Sequence, residues 1–258
     1  MKAVILNSGM GKRMGEHTAT RPKCLLEIGG GDTILSRQVR QLLSVGIASF
    51  LITTGPFAEK VEGHLERLYP GLRVEFVNNP RHETTNYIYS LLLAGELLDE
   101  EILLLHGDLV FEDRVLQKLL GSPHEHAVLV NRVVDLPEKD LKGRLEGGLV
   151  KKIAVDIFDP GCVALIPMYR LSREGMKIWL EEMGQFAKAG RLNVYAEDAL
   201  NNLLNKIQLY PVFFEREFCM EIDTPEDLEL ARSMLAGSQG YECFPPPRFS
   251  GRRPPGEE

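Results

Sequence analysis

The sequence lacks the features that mark a secreted, disulfide-linked or membrane-spanning protein. Cysteine is scarce, with four in 258 residues, and the wide spacing forms neither a zinc ribbon nor a disulfide framework. No stretch of about 18 uninterrupted apolar residues is present, and the first residues run into a short apolar segment without the layout of a signal peptide. We therefore expect a cytoplasmic protein with reduced cysteines and no membrane contact.

The chain also has fewer positively charged than negatively charged residues. The chain carries 30 Lys and Arg against 37 Asp and Glu, a formal net charge of -7, which repels a nucleic-acid backbone. Nucleic acid is therefore not an expected partner. With 44% hydrophobic residues, the chain can bury a full core, and its length allows one large domain or two small ones.

Short apolar runs alternate with amphipathic stretches of helical spacing in the first half of the chain. The runs predict strands at 3–6, 50–53, 74–77, 102–105 and 127–130. The stretches between them predict helices at 34–45, 58–69 and 87–98. This alternation is typical of right-handed βαβ units. The sequence therefore predicts an α/β fold with a mostly parallel twisted sheet flanked by helices.

The pattern loosens after residue 130. A glycine-containing segment at 143–148 predicts a β-hairpin or meander over the sheet. Helices are expected at 172–189, where Trp179 lies on an apolar stripe and is predicted to pack in the core, and at 197–206. A last helix is expected after Thr224, because threonine is a good N-cap residue and Pro225 suits the first helical position.

The composition changes again near the carboxyl end. Residues 237–258 are rich in Pro, Gly and Arg, which predicts a flexible tail. We expect a single domain over 1–236, in which the segment at about 131–215 forms a smaller β-rich insertion.

A glycine-containing loop follows the first strand directly. It consists of Asn7, Ser8, Gly9, Met10, Gly11, Lys12 and Arg13. Two glycines let backbone amides approach a polyphosphate closely, and the loop cations, with Lys23 further on, offset its charge. A Walker loop needs Ser or Thr where Arg13 stands, and the third glycine of a dinucleotide motif arrives one place late. We interpret the loop as a triphosphate cradle; a solvated glycine-rich turn is the alternative.

Two aspartates are candidate ligands for a metal ion. Asp108 follows the strand at 102–105, and ligands of open α/β sheets bind at the carboxyl ends of strands. Its carboxylate suits Mg²⁺, although a plain turn residue is the alternative. Asp223 is the second candidate; alternatively, it is an anion that stabilises the amino end of the last helix.

Taken in order along the chain, these elements resemble the signature of the sugar-phosphate nucleotidyltransferase superfamily. The resemblance rests on Gly-x-Gly-x-Arg-Met, Arg-Pro-Lys-Cys-Leu-Leu, an aspartate after a strand, and a late Ile-Asp-Thr-Pro-Glu-Asp. Within this superfamily the chain is most similar to phosphocholine and 2-aminoethylphosphonate cytidylyltransferases. The resemblance implies a Rossmann-like nucleotidyltransferase fold in which the β-rich part at about 131–215 binds the acceptor.

The resemblance also implies roles for individual residues. Gly9 to Arg13 would bind the nucleotide phosphates, with Arg13 on the leaving pyrophosphate, and Lys23 would neutralise the reacting α-phosphate. Asp108 and Asp223 would hold Mg²⁺, so that Arg13, Lys23 and Asp108 form the catalytic set. The superfamily usually has Leu-Ala-Ala-Gly where this chain has Leu-Asn-Ser-Gly; Asn7 and Ser8 are therefore expected at the nucleotide with altered base or ribose contacts.

Two segments are candidates for the nucleoside and acceptor side. Residues 84–91 resemble the Asn-Asn-x-Tyr-Ser-Leu segment of choline-type cytidylyltransferases. Thr85 or Asn86 would cap a helix there and contact the base or substrate, with Ser90 on the substrate side; a simple N-cap is the alternative. The second segment combines an aromatic ring with two carboxylates, a composition that suits binding of an ammonium group. The alternative is an ordinary helix start with acidic residues in its first turn. The residues of this segment are Tyr195, Glu197 and Asp198.

The resulting expectation is an Mg²⁺-dependent cytidylyltransferase. It would transfer CMP from CTP to a small amine-bearing phosphate or phosphonate, such as phosphocholine or 2-aminoethylphosphonate, and release pyrophosphate; a homodimer is compatible with this interpretation. The alternatives are a sugar-1-phosphate or inositol-phosphate nucleotidyltransferase and a catalytically silent nucleotide-binding regulatory module. A glycosyltransferase would be expected to show Asp-x-Asp, where this chain has Asp108-Leu109-Val110. His82 and His106 flank the predicted site and are interpreted as surface or packed residues.

Overall fold

The computed structural model describes residues 1–237, which form a main sheet with helices on both faces. The strands are β1 (Lys2–Asn7), β2 (Glu27–Gly29), β3 (Asp32–Thr33), β4 (Ser49–Thr54), β5 (Arg73–Asn78), β6 (Ile102–His106), β7 (Leu109–Phe111), β8 (Ala127–Asn131), β9 (Lys142–Glu146), β10 (Leu149–Ala154), β11 (Cys162–Leu171), β12 (Tyr210–Phe214) and β13 (Cys219–Glu221). The α-helices are α1 (Ile34–Ser44), α2 (Ala58–Leu68), α3 (Tyr87–Leu93), α4 (Asp113–Leu120), α5 (Arg173–Lys188), α6 (Ala196–Asn201) and α7 (Pro225–Gly237). Short 3-10 helices follow β1.

The main sheet has a parallel half and a mixed half. Strands β6, β1, β4 and β5 are adjacent and parallel, as the βαβ pattern predicts. The long strand β11 runs antiparallel to β6 and joins this half to β8 and to the β9–β10 hairpin, while β12 pairs parallel to β8. The α/β fold with a mostly parallel sheet flanked by helices is therefore confirmed, and the antiparallel pairings come from the second half of the chain.

Alternate residues of the central strands supply two hydrophobic cores. In β1, Val4 and Leu6 pack with α3, α5 and α6, whereas Ala3 and Ile5 pack with α1, α2 and α4. Successive side chains of a strand point to opposite faces, and strands covered on both faces are apolar throughout. Trp179 of α5 is fully buried and donates its Nε1–H to Ala196 O at 2.9 Å, as its apolar stripe predicts.

The predicted helices and hairpin differ from the structure mainly at their ends. The hairpin turns at Gly147 and Gly148, both with positive φ, and joins β9 to β10 as predicted. The helix predicted over 87–98 ends at Leu93, and a 3-10 turn starts at Gly95, because glycine is a poor helix former. The helix predicted over 197–206 ends at Asn201, whose amide pairs with both backbone groups of Ile153.

The last helix begins as predicted. Thr224 accepts a hydrogen bond from the backbone N–H of Asp227, and the Asp227 carboxylate accepts one from the N–H of Thr224. Gly237 is the last residue of α7, so the predicted tail at 237–258 otherwise lies outside the described residues. Among the helices of residues 1–237, none combines the length and apolar character needed to cross a bilayer.

A close backbone approach joins the carboxyl ends of β1 and β6. Gly107, directly after β6, donates its N–H to Leu6 O at 3.0 Å. A Cβ atom on Gly107 would lie 1.7 Å from Oδ1 of the buried Asn7. The loop after β6 can therefore take this path only because residue 107 has no side chain.

We predict that Gly107→Ala destabilises the protein and that Asn7→Ala relieves the effect. The clash should lower the free energy of unfolding by about 1–3 kcal/mol, as overpacking does. In the double variant the added methyl fills the space that Asn7 leaves, so the two changes should be strongly non-additive. Thermal unfolding of the four proteins measures this; additive losses would show that the two side chains do not compete for space.

Candidate active site

A small antiparallel pair of strands brings two distant aspartates together. Leu109 of β7 pairs with Glu221 of β13, and the backbone N–H of Ile222 donates to Asp108 O at 2.9 Å. Asp108 lies just before β7 and Asp223 just after β13. Because the strands are antiparallel, these two ends coincide at one edge of the main sheet.

Lys23 lies between the two aspartates. Its Nζ is 2.7 Å from Asp108 Oδ2 and 2.7 Å from Asp223 Oδ1. The three side chains are 14%, 22% and 16% exposed, respectively, so the contacts are largely shielded from water. The structure thus places together three residues that the sequence analysis selected from separate segments.

The charges of this cluster stabilise one another. Burial disfavours the Lys23 ammonium, but the attraction of Asp108 and Asp223 outweighs it and raises the pKa of Lys23 above its ordinary value. Burial likewise opposes ionisation of Asp108, yet Lys23 and then His106 hold the pKa of this carboxyl below its ordinary value. The lysine is therefore charged, and so is the carboxylate, at neutral pH.

The glycine loop runs beside this cluster. Arg13 Nη2 is 2.8 Å from Asp223 Oδ2, while its side chain remains 55% exposed and accessible to a ligand. Gly11 adopts a left-handed conformation, with φ of 59°, and the Thr18 hydroxyl donates to Gly11 O at 2.9 Å. Lys12 is exposed. The loop can therefore present backbone amides and two cations at the site.

A smaller cavity of about 160 Å³ opens between the loop and the start of α3. It is lined by Leu6, Ser8, Gly9, Asn79, His82, Thr85, Asn86, Tyr87, His106 and Asp108. Asn86 caps α3, accepting a hydrogen bond from the N–H of Tyr87 at 2.7 Å. The cavity thus joins the residues predicted for the base to Asp108.

Buried hydrogen bonds fix the wall of this smaller cavity. Ser90 donates to Ser8 Oγ at 2.9 Å, and the Asn79 amide donates to Ser90 Oγ at 3.0 Å and to Thr85 Oγ1 at 3.1 Å. Ser90 is fully buried, so it positions Ser8 and Asn79. Its direct contact with a substrate stays a prediction. Asn79 was not selected from the sequence, where it is one of two adjacent asparagines after a strand.

A larger cavity of about 460 Å³ lies on the other side of the aspartates. It extends from Arg13 to residues 134–140 and to β13. Carboxylates dominate its charged lining, with one arginine and one lysine against Asp135, Glu138, Asp140, Glu221, Asp223 and Asp227. Such a cavity favours a ligand that carries a cationic group.

Glu197 has different surroundings from those that its sequence suggests. It is 1% exposed, and its two carboxylate oxygens accept hydrogen bonds from the hydroxyls of Tyr87 and Tyr169. Tyr195 is 40% exposed, with its ring 6.0 Å from that of Tyr87, and Asp198 is partly buried in the first turn of α6. Glu197 therefore anchors the tyrosines, and binding of a substrate by this segment stays a prediction.

A partly buried histidine and glutamate form a pair that the sequence analysis did not select. His106 Nδ1 lies 3.2 Å from Glu221 Oε1, and the ring of His106 packs edge-on against Tyr87. Burial raises the pKa of the Glu221 carboxyl. A signal for both existed, since each lies two residues before a predicted metal ligand and residues two apart in extended chain share a side.

The carboxylates of the site fit a hard divalent cation. Asp108 Oδ1 is buried and has no hydrogen-bond partner within residues 1–237, which leaves a ligand atom available. Carboxylate oxygens are the donors that Mg²⁺ prefers. Besides the pair of Asp108 and Asp223, a second group of side chains could hold a cation. Ligand atoms of His106, Asp108 and Glu221 all lie within 4.8 Å of one another. Asp108 belongs to both groups.

Comparison with known proteins assigns the chain to a family. A family model described as the MobA-like NTP transferase domain matches residues 3–239. The chain is 37% identical over 132 residues to a CMP-5'-(3-aminopropyl)phosphonate synthase from Streptomyces rubellomurinus, covering 51% of this chain and 21% of the relative. It is 29% identical over 238 residues to a bifunctional IPC transferase and DIPP synthase from Archaeoglobus fulgidus, covering 92% and 44%.

The solved structures agree on the fold. The inositol-1-phosphate CTP transferase from T. maritima superposes with a TM-score of 0.77 at 22% identity, covering 94% of this chain and 98% of that one. The chain thus spans less than half the length of each of these two curated relatives, but nearly the whole length of the structural neighbour. The chain belongs to the MobA-like NTP transferase domain family, which is a family of nucleotidyltransferases.

Proposed function

We propose that the protein transfers CMP from CTP to a small phosphate or phosphonate that carries an amino group, and releases pyrophosphate. The observation that carries this proposal is the contact of Lys23 with both Asp108 and Asp223 at 2.7 Å, beside a glycine loop and between two cavities. The smaller cavity would hold the nucleoside and the larger one the acceptor.

The proposed reaction joins two anions and requires little covalent help from the protein. An acceptor oxygen attacks the α-phosphorus of CTP; the new P–O bond forms as the bond to the bridging oxygen of the β-phosphate breaks. The nucleophile is already ionised at neutral pH, so no general base is needed. Positioning and neutralisation of charge then dominate catalysis, and Lys23 would offset the α-phosphate while Arg13 binds the leaving pyrophosphate.

Asp108 and Asp223 would hold Mg²⁺ in this reaction. Bound there, the ion would lower the charge of the triphosphate and orient the attacking oxygen. The Oδ1 atom of Asp108, which has no hydrogen-bond partner among residues 1–237, supports this assignment. The protein's own part is to keep the two carboxylates adjacent, through β7 and β13, and to supply the compensating charge of Lys23.

The acidic cavity supports an acceptor with an ammonium group. Glu221 lines it, and burial of this carboxylate raises its pKa, so a cationic neighbour would stabilise its charged form. A phosphonate with an amino group would place its anionic end beside Lys23 and the α-phosphate, and its ammonium among the carboxylates. The name of the Streptomyces relative, which includes both CMP and an aminopropylphosphonate, agrees with this polarity.

An inositol phosphate is the second candidate acceptor. The similarity to the Archaeoglobus relative extends over 92% of this chain, and the T. maritima neighbour named above acts on inositol-1-phosphate according to its name. This acceptor has hydroxyls and no cation, so the acidic cavity favours the amine-bearing class over it.

A pyrophosphate-release assay distinguishes these candidates. Each of four nucleoside triphosphates is combined with phosphocholine, 2-aminoethylphosphonate, 3-aminopropylphosphonate, inositol phosphate or a hexose phosphate, in the presence of Mg²⁺. We expect CTP with an amine-bearing acceptor to give the highest kcat/KM. Preference for UTP or dTTP with a hexose phosphate would overturn the proposal, and no turnover with any pair would favour a nucleotide-binding regulatory module.

We predict that Lys23→Ala and Asp108→Asn each lower kcat at least ~100-fold, because Lys23 offsets negative charge in the transition state and Asp108 would hold the Mg²⁺ that does the same. Circular dichroism checks that the variants remain folded. Lys60→Ala is the matched control, since Lys60 contacts the Thr20 carbonyl of the neighbouring loop but neither aspartate. Near-normal turnover of folded Asp108→Asn would remove this residue from the catalytic set.

We further predict that Glu221→Gln raises KM for an amine-bearing acceptor about 10- to 100-fold, the effect of losing one hydrogen bond to a charged group. KM for CTP should change little. Glu215→Gln is the control, because Glu215 is half exposed and pairs with Arg132. An equal rise in KM for acceptors without an amine, or an altered Mg²⁺ requirement, would contradict the proposed ammonium contact.

A further inference from the structure

A side chain of α1 forms two hydrogen bonds to the turn that carries Asp108. The amide of Gln38 donates through Nε2 to His106 O at 3.0 Å and to Leu109 O at 2.8 Å. These two carbonyls stand on either side of Gly107 and Asp108. Gln38 is 1% exposed, so water does not compete for the two bonds and a single amide group spans the turn.

Other contacts approach the same turn from different directions. Gly107 donates its N–H to Leu6 O at 3.0 Å, which joins the turn to β1. Asp108 O accepts the N–H of Ile222 at 2.9 Å, which joins it to the segment that carries Asp223. The amide of Gln38 supplies the third attachment, at the face of the turn that packs on α1.

We infer that Gln38 is a positioning residue that fixes the Asp108 carboxylate for metal binding and for the reaction. The inference rests on the proposed function, in which Asp108 is a metal ligand. Without the amide, His106 O and Leu109 O lose the N–H donors that hold the two ends of the turn at a fixed distance from each other. The carboxylate then samples a wider range of orientations, and contacts of this supporting kind typically change metal affinity or activity about 10- to 100-fold.

Gln41, one turn further along α1, provides an internal control. It is 3% exposed, and its Nε2 donates to Phe111 O at 2.9 Å and to Asp113 Oδ1 at 2.6 Å. It therefore matches Gln38 in residue type, helix, burial and number of bonds, but it acts at the far end of β7. Loss of either amide removes two hydrogen bonds, but Phe111 O keeps the Arg37 guanidinium as a donor at 3.1 Å, so Gln41→Leu should cost no more stability than Gln38→Leu.

The test compares Gln38→Leu with Gln41→Leu in the whole chain. Thermal unfolding measures stability, steady-state kinetics with CTP and Mg²⁺ measures kcat, and titration of Mn²⁺ alone, followed by EPR of the free ion, measures metal affinity. We expect both variants to lose stability, Gln41→Leu no more than Gln38→Leu. Only Gln38→Leu should lower kcat and Mn²⁺ affinity, each about 10-fold or more, as for other residues that orient metal ligands; Gln41→Leu should stay within about 2-fold of the unsubstituted protein.

The outcomes separate this inference from the proposed function. Equal kcat and equal Mn²⁺ affinity in the two variants would overturn the role of Gln38. If the unsubstituted protein transfers no CMP, the proposed function is wrong, and the Mn²⁺ titration alone decides whether Gln38 positions Asp108. Should Gln38→Leu not fold, Gln38→Met keeps a flexible side chain of similar length without a donor and gives the same comparison. A protein without activity and without Mn²⁺ affinity would overturn both proposals.

Discussion

The ammonium of Lys23, placed between Asp108 and Asp223, is the contact on which the rest of the site depends. Two partly buried carboxylates repel each other and lose hydration when they approach, unless a cation is shared between them. Removing one partner of a buried ion pair typically costs about 3–5 kcal/mol. With Arg13 on the outer oxygen of Asp223, two cations balance two anions, so the protein can keep a carboxylate pair beside its glycine loop.

The fold makes this arrangement through very short elements. Strands β7 and β13 have three residues each, yet their pairing carries Asp108 and Asp223 to the same place. The loop after β6 also has to pass over Asn7, which only glycine at position 107 allows. Gln38 on α1 contacts the same loop through hydrogen bonds to His106 O and Leu109 O.

On the predicted acceptor side, the role of each carboxylate depends on its burial and not on the sequence motif alone. Tyr195, Glu197 and Asp198 have the composition of an ammonium site, but Glu197 is enclosed by two tyrosine hydroxyls. Glu221, which the same reasoning passed over, lines the larger cavity. Only the neighbours of each glutamate in space distinguish a carboxylate enclosed by two hydroxyls from one that lines a cavity.

The βαβ order, the glycine loop and the candidate set of Lys23, Asp108 and Asp223 could be predicted from the sequence, because apolar periodicity and short motifs are local properties of the chain. The antiparallel position of β11 beside β6, and the pairing of β13 with β7 about a hundred residues away in the chain, became visible only in the folded protein. The same holds for the approach of Gln38 and Glu221 to the turn that carries Asp108. Pairings of this kind depend on distant contacts and on burial, which no local pattern encodes.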